Sequence, residues 1–313
     1  MRALIVGASG QDGRILWDQL EQQGYIVLGL SRRETKALRC AWSVPVDIHN
    51  EEDVRHVVST FHPDQLYFLA AHHQSSQDPG SQTTAPVWTA SWMVHVEAFR
   101  HFLESIRTVG LPTRVFFASS SRIFGMPATS PQTEETPYKP TCVYGITKAT
   151  AMMLARHYRE SHGVWVSSGI LYNHESPFRR GTFLSKKVAG TLVAIKQGRE
   201  SQLEVGSLDA KVDWGYAPDY TQAMQLILSA ESPDDFIIAT GKTHTVQDMI
   251  EVAARYLDLD WRKVVVENPG VLKRASLPLS GDASRLRERT GWIPSTSFES
   301  MVEILISDAE KGF

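Results

Sequence analysis

Residues 1–13 read Met-Arg-Ala-Leu-Ile-Val-Gly-Ala-Ser-Gly-Gln-Asp-Gly. Leu4-Ile-Val6 is an apolar, strand-like run, and a helical pattern follows from about Arg14 to Gln23. Gly7, Gly10 and Gly13 stand between the two. Glycines at this spacing allow a tight turn and let the backbone come close to a pyrophosphate, whose charge then meets the helix N-terminus. Glycine-rich turns are common, so the spacing alone says little. Its place inside the first strand–turn–helix unit is what points to a dinucleotide.

Beyond this unit, strand-like runs alternate with helical ones. Tyr25–Leu30 reads as the second strand and Val44–Val46 as a short third. Leu66–Ala70 reads as the fourth, after a helix ending near Phe61. A long helix over Trp88–Val109 precedes a fifth strand at Arg114–Ala118. A second long helix, Thr141–Ser161, precedes a sixth strand at Val164–Leu171. This alternation predicts an α/β fold, a doubly wound parallel sheet with right-handed crossovers. After residue 171 the pattern loosens: helices at Thr182–Gln197 and Asp219–Ala230, a strand at Asp235–Ala239, and a helix at Thr245–Leu257 with Thr245 as N-cap. The expected division is a nucleotide-binding Rossmann domain over 1–170, joined again by 213–243. A smaller substrate domain would occupy most of 171–313.

Composition sets the bounds. The 313 residues are 42% apolar and 21% charged, with a net charge of −3. That fits one large domain or two joined ones, and shows no basic excess for nucleic acid or an anionic membrane. No apolar run reaches membrane-spanning length, and the N-terminus runs into a strand without a signal-peptide pattern, so a cytoplasmic location is expected. Cys40 and Cys142 read as free thiols, neither in a metal-type spacing.

The second strand ends at Leu30-Ser-Arg32-Arg33. An acid there accepts from a ribose 2′-hydroxyl, whereas arginine accommodates a 2′-phosphate, so NADP is expected. The alternative is a solvated basic loop. Asp47 is open between the adenine edge and a helix N-cap.

Tyr144 and Lys148 lie four apart on one helix and share a face. A lysine ammonium beside a phenol lowers its pKa. Such a tyrosine can take the proton of a sugar hydroxyl as hydride leaves its carbon, or return it. Ser120, at the end of the fifth strand, can hydrogen-bond the same hydroxyl. Two residues on stands Arg122, which cannot serve as a base.

Five segments carry a resemblance. They are Gly7–Gly13, Val-Tyr-Gly-Ile-Thr-Lys (143–148), Gly-Ile-Leu-Tyr-Asn-His-Glu-Ser-Pro (169–177), Leu-Asp-Ala-Lys-Val-Asp-Trp-Gly (208–215) and Ala-Thr-Gly-Lys-Thr-His-Thr-Val (239–246). In these the chain resembles the extended short-chain dehydrogenase/reductases, and within them the GDP-mannose 4,6-dehydratase branch. The resemblance implies that Gly7, Gly10, Gln11, Asp12 and Gly13 hold the pyrophosphate and that Arg32 meets the 2′-phosphate. Asp47 and Ile48 would flank adenine, and Leu69, Ala70 and Ala71 would line the nicotinamide ribose. Tyr144, Lys148, His174 and Arg179 would complete the NADP site. Asn173, Lys186, Lys187 and Arg274 match positions near the nucleotide sugar. His174 could equally cap a turn, and Lys186 and Lys187 could be one solvated helix face.

In the family, C4 is oxidised, a glutamate removes the C5 proton, water leaves C6 and the hydride returns there. The family's strand end, Ser-Thr-Ser-Glu, is here Ser119-Ser120-Ser121-Arg122, so the acid-base group of the elimination is missing. The guanidinium could bind a phosphate or carboxylate of the substrate, or face solvent. A family Lys-Arg-Asp-Trp is Lys211-Val212-Asp213-Trp214 here, and an Arg-Pro-x-Glu-Val is Arg274-Ala-Ser-Leu277-Pro, so two polar contacts to the nucleotide sugar are absent. The loop after Arg33, which supports tetramers in the family, is short. A dimer through the Tyr144/Lys148 helix remains implied.

Three functions follow. The first is an NADP-dependent C4 oxidoreductase on a GDP-hexose-like nucleotide sugar, either a 4-keto-6-deoxy sugar reductase or a C4 dehydrogenase. The second is a 4,6-dehydratase with its base relocated to His72, His73, Glu135 or Glu175. The third is an NADP-binding protein without sugar turnover.

Overall fold

The computed structural model describes residues 1–32, 34–72, 84–268, 270 and 279–312. Five short apolar segments form parallel strands: β1 (Arg2–Val6), β2 (Ile26–Leu30), then, after a short antiparallel β3 (Thr35–Leu38), β4 (Gln65–Phe68), β5 (Arg114–Ala118) and β6 (Val166–Leu171). They are buried on both faces, the pattern a sheet covered by helices requires. Chain-order numbering continues with β7 (Asn173–Glu175), β8 (Leu203–Val205), β9 (Lys211–Tyr216) and β10 (Asp235–Ile238). The sheet runs β3-β2-β1-β4-β5-β6-β10, and every pairing in it is parallel except β2–β3. This is a doubly wound α/β (Rossmann) sheet. Its order reverses between β1 and β4, where such sheets open a crevice above the carboxyl ends of the strands.

The expected third strand at Val44–Val46 is corrected by β3, which folds straight back on β2 with Leu30 opposite Thr35. Pro45 has no N–H for a ladder, so the alternating valines misled the reading. The hairpin places Arg32 at its tip.

One face of the sheet carries α2 (Glu51–Phe61), α4 (Ala98–Val109) and α5 (Val143–His162); the other carries α1 (Gln11–Gln22), α7 (Ala217–Ser229) and α9 (Ser284–Thr290). α2 buries Val54, Val57, Val58 and Phe61 at helical spacing. α4 buries Phe99, Phe102, Leu103 and Ile106 and ends at Gly110, whose φ of 75° suits a left-handed cap. Phe99 stacks on Phe117 of β5 with centroids 4.4 Å apart. The long helix expected over Trp88–Val109 begins earlier, as α3 (Ala85–Trp92), and is interrupted by a π-turn over Met93–Glu97 before α4.

The smaller layer holds β7, β9 and β11 (Thr243–Thr245), with β8 beside β12 (Val265–Glu267). It is filled by α6 (Leu184–Lys196), α8 (Val246–Tyr256) and α10 (Phe298–Lys311). Thr245 caps α8 as expected, its hydroxyl accepting from Asp248 N while Asp248 accepts from Thr245 N. Asp213 on β9 accepts from Thr240 N and Oγ1 and from the Gly241 and Gly281 backbones. It ties the smaller layer to the end of β10. Among the described residues, no helix is long and apolar enough to cross a membrane.

Candidate active site

The glycine turn after β1 is built by close contact. Gly7 has φ of 99°, and a Cβ there would lie 2.8 Å from Ala70 N at the end of β4. A Cβ on Gly13 would lie 2.4 Å from Gly7 O. Only glycine lets α1, the turn and β4 meet this closely. Gly10 is the N-cap of α1 and supplies no side-chain cap, so backbone N–H groups open the helix toward the crevice.

Gln11 and Asp12 reach across to β7. Gln11 Nε2 donates to His174 O at 3.1 Å, and Ser176 Oγ donates to Gln11 Oε1 at 2.9 Å. His174 Nδ1 lies 2.7 Å from Tyr172 O, and Nε2 lies 3.1 Å from both Asp12 oxygens. Both ring nitrogens face acceptors, which requires an imidazolium. Burial alone would push the imidazole down, but the Asp12 carboxylate outweighs it and holds the pKa above its ordinary value. Asp12 is held below its ordinary value by the same partner, against burial. The imidazole stacks on Tyr220 at 4.6 Å. His174 is thus a charged tie between the glycine turn and the smaller layer.

The residues expected to handle protons converge at the end of β5. Ser120 opens a short 3-10 turn, Ser121–Phe124, its hydroxyl accepting from Arg122 N at 3.3 Å. Ser120 also hydrogen-bonds the Tyr144 phenol. Lys148 is 1% exposed, and its Nζ donates to Ala118 O at 2.7 Å. It stands 5.8 Å from the Tyr144 ring centroid. The sequence reading has the lysine drawing the phenol's pKa down. The structure shows burial in command of both groups. It pushes Tyr144 up to about 12, with Arg179 and the Ser120 hydrogen bond offsetting only part. It pulls Lys148 down to about 7. A lysine whose burial favours its neutral form brings less charge to its neighbour.

Arg122 is half-buried. Its carbonyl lies against Gly145, where a Cβ would come within 2.5 Å. The turn carrying Arg122 is therefore seated on the turn carrying Tyr144. No hydrogen bond or ion pair engages its guanidinium among the described residues.

The other expected residues line the same edge. Arg32 is exposed, and Glu34 beside it is paired with Lys36 at 3.2 Å. Asp47 is exposed and accepts from His49 N; the N-cap of α2 is Asn50, which accepts from Glu52 N and Asp53 N. Ile48 is half-buried, as are Leu69 and Ala70, while Ala71 and Asn173 are exposed. Arg179 lies over the Phe183 ring at 3.8 Å, with Nε 3.3 Å from Glu175 Oε2. Lys186 is paired with Asp308 of α10 at 2.8 Å, and Lys187 is half-buried one residue on. Arg33, His73 and Arg274 lie outside the described residues.

Two of the bases expected for a relocated elimination, Glu175 and Glu135, are engaged. Glu175 is 3% exposed, accepting from Ser185 Oγ at 2.5 Å beside Arg179. Glu135 is ion-paired with Arg285. His72 is half-buried and held below its ordinary pKa by burial and by the Arg32 charge. Sequence reasoning missed His95 and Thr147, both fully buried beside Tyr144. Their only sequence signal is a polar residue on an apolar helix face. No group of three or more His, Cys, Asp or Glu among the described residues is placed to hold a metal ion.

The chain matches the family described as GDP-mannose 4,6 dehydratase over residues 4–305. The chain belongs to the GDP-mannose 4,6-dehydratase family. It is 35% identical to GDP-mannose 4,6 dehydratase 2 of Arabidopsis thaliana over 98% of this chain and 86% of that one. It is 32% identical to a GDP-mannose 4,6-dehydratase of Vibrio cholerae over 99% and 94%. Among solved structures, RMD from Pseudomonas aeruginosa complexed with NADPH superposes with a TM-score of 0.84 at 20% identity, covering 100% and 99% of the chains. A dTDP-glucose 4,6-dehydratase from Bacillus anthracis in complex with NAD gives 0.82 at 18% identity, covering 99% and 97%. At those identities the likeness is one of fold. In this member of the GDP-mannose 4,6-dehydratase family, the turn after β5 carries Arg122 beside an intact Ser120, Tyr144 and Lys148.

Proposed function

We propose that the protein is an NADP-dependent oxidoreductase acting at C4 of a nucleotide-linked hexose, GDP-linked as in its relatives, without dehydration. One observation carries the reading. Ser120, Tyr144 and Lys148 are assembled, while the adjoining turn offers a guanidinium in place of a carboxylate and the nearby acids are tied up. Redox at C4 needs one proton moved at the hydroxyl oxygen. Elimination needs a second group to take the C5 proton, and arginine cannot do so.

The cradle left by Gly7 and Gly13 and the open N-terminus of α1 fit a pyrophosphate. Arg32, at the tip of the β2–β3 hairpin beside an occupied Glu34, fits a 2′-phosphate rather than a bare hydroxyl. Asp47, Ile48, Leu69, Ala70, Ala71, Lys148, His174 and Arg179 line the remaining length, with Gln11 and Asp12 holding the turn to β7. The cofactor, when bound, would accept the hydride as NADP or supply it as NADPH. Ser120 positions the C4 oxygen and Tyr144 exchanges its proton. With its pKa at about 12 the phenol keeps its proton at neutral pH, so it stands ready as the acid that protonates a C4 ketone during reduction. Arg122, Asn173 and Lys187 face the nucleotide sugar in this reading, and Lys186 holds α10 to α6. The layer built from 171–313, less the part that supplies β10, closes the sugar side. Met153 on α5 is 60% exposed; it belongs to a dimer contact through that helix.

The test supplies pure protein with NADPH and a GDP-linked 4-keto-6-deoxyhexose, and separately with NADP and GDP-mannose. Consumption of NADPH with the ketone supports the reading. Loss of water from GDP-mannose with no net change in NADPH would sink it.

A further inference from the structure

His95 sits at the centre of the π-turn Met93–Glu97 and is 0% exposed. A π-turn inserts one extra residue into a helix, a local irregularity that concentrates at functional sites. The hydrogen bonds around this imidazole have one consistent direction. His72 N can only donate, and it lies 2.9 Å from His95 Nε2, so Nε2 is the acceptor and the proton is on Nδ1. Nδ1 therefore donates to Thr147 Oγ1 at 2.7 Å. The Thr147 hydroxyl in turn donates to Val143 O at 3.0 Å or Tyr144 O at 3.2 Å. The ring also meets the Tyr144 ring edge to face, at 5.3 Å and 89°.

We propose that His95 is a positioning residue that ties the loop leaving β4 to the turn of α5 carrying Tyr144. The proposal rests on the C4 oxidoreductase reading, in which that loop flanks the nicotinamide ribose and Tyr144 moves the proton. One neutral imidazole bonds to both segments, so the spacing between cofactor loop and phenol is set by a rigid ring. Small displacements matter here, since misplacing a reacting group by about 1 Å costs on the order of 100-fold in rate.

Three variants separate the two ends of the tie. His95→Gln offers an oxygen near the place of Nε2 and keeps the bond from His72. His95→Asn offers an N–H near the place of Nδ1 and keeps the bond to Thr147. His95→Phe keeps the ring against Tyr144 and neither bond. The expected pattern is a split. His95→Gln retains the wild-type KM for NADPH and loses kcat. His95→Asn retains more of kcat and raises that KM. His95→Phe shows both defects, with kcat down roughly 10- to 100-fold. Equal defects in all three, or none in a folded His95→Phe, would overturn the tie. Nitrogen-15 NMR of the wild-type protein should show His95 protonated at Nδ1 alone; a proton at Nε2 would also overturn it. Should the wild-type protein bind NADPH yet reduce no 4-keto sugar, the reading of the reaction fails. NADPH affinity then decides the tie separately. Weakening in His95→Asn but not in His95→Gln supports it, and equal affinities overturn it.

Discussion

Lys148→Met should remove turnover and at the same time make the protein more stable, by an amount that depends on pH. Burial holds the Lys148 ammonium at about 7 against an ordinary 10.5. At 1.36 kcal/mol per pKa unit, this is a penalty of about 5 kcal/mol on folding with the charged form. Because the folded value lies below the unfolded one, the unfolded chain binds more protons between about pH 7 and 10.5. The penalty is therefore fully present below pH 7 and shrinks as pH rises toward 10.5. The methionine variant lacks this penalty but leaves Ala118 O without its donor, which costs about 1–3 kcal/mol at every pH. The net gain is roughly 2–4 kcal/mol at pH 6 and near zero at pH 9. The fall of about 3 kcal/mol between those pH values is independent of the carbonyl term. Urea unfolding followed by tryptophan fluorescence at pH 6, 7, 8 and 9 measures it. A variant that is less stable than wild type at pH 6, or whose gain does not change with pH, would refute the reasoning.

Tyr144→Phe should lower kcat by about 100- to 10,000-fold while NADPH affinity stays within a few-fold, measured by cofactor fluorescence. Arg122→Glu should introduce loss of water from GDP-mannose, detected by mass spectrometry; no gain of dehydration means that more than this residue is missing. Arg32→Ala should weaken NADPH binding by about 10- to 100-fold and leave NADH binding nearly unchanged, as expected for the loss of one charge-assisted phosphate contact worth about 1.5–3 kcal/mol. Asp12→Asn should destabilise the protein most where the wild-type pair is charged on both sides. The His174 contribution is present below pH 6.5 and is lost as pH rises through its raised value, and the Asp12 contribution is lost as pH falls through its depressed one. A stability difference that is flat from pH 3 to 9 would contradict the imidazolium assignment.

Local features were legible in the sequence. The glycine turn, the alternation of strand and helix, the Thr245 cap and the shared face of Tyr144 and Lys148 all follow from spacing within one element. Long-range features were not. Asp12 and His174 are 162 residues apart, and only the fold makes an ion pair of them. β3 escaped because its pairing comes from the chain doubling back after Leu30, while Val44-Pro-Val46 carries the more strand-like letters. The spacing of Tyr144 and Lys148 gives proximity but not burial, so the direction of the phenol's shift was missed. His95 shows only as one polar letter on an apolar helix face, because the π-turn that buries it depends on packing against α5.

The central claim, redox at C4 without elimination, is tested most directly by locating the transferred hydride. NADPH carrying deuterium at its reacting position is incubated with the protein and a GDP-linked 4-keto-6-deoxyhexose, and the product is examined by NMR. The account predicts one deuterium at C4 and one NADPH consumed per sugar. No label and no consumption, together with protein-catalysed conversion of C4-deuterated GDP-mannose to a dehydrated sugar bearing that deuterium at C6, would contradict it.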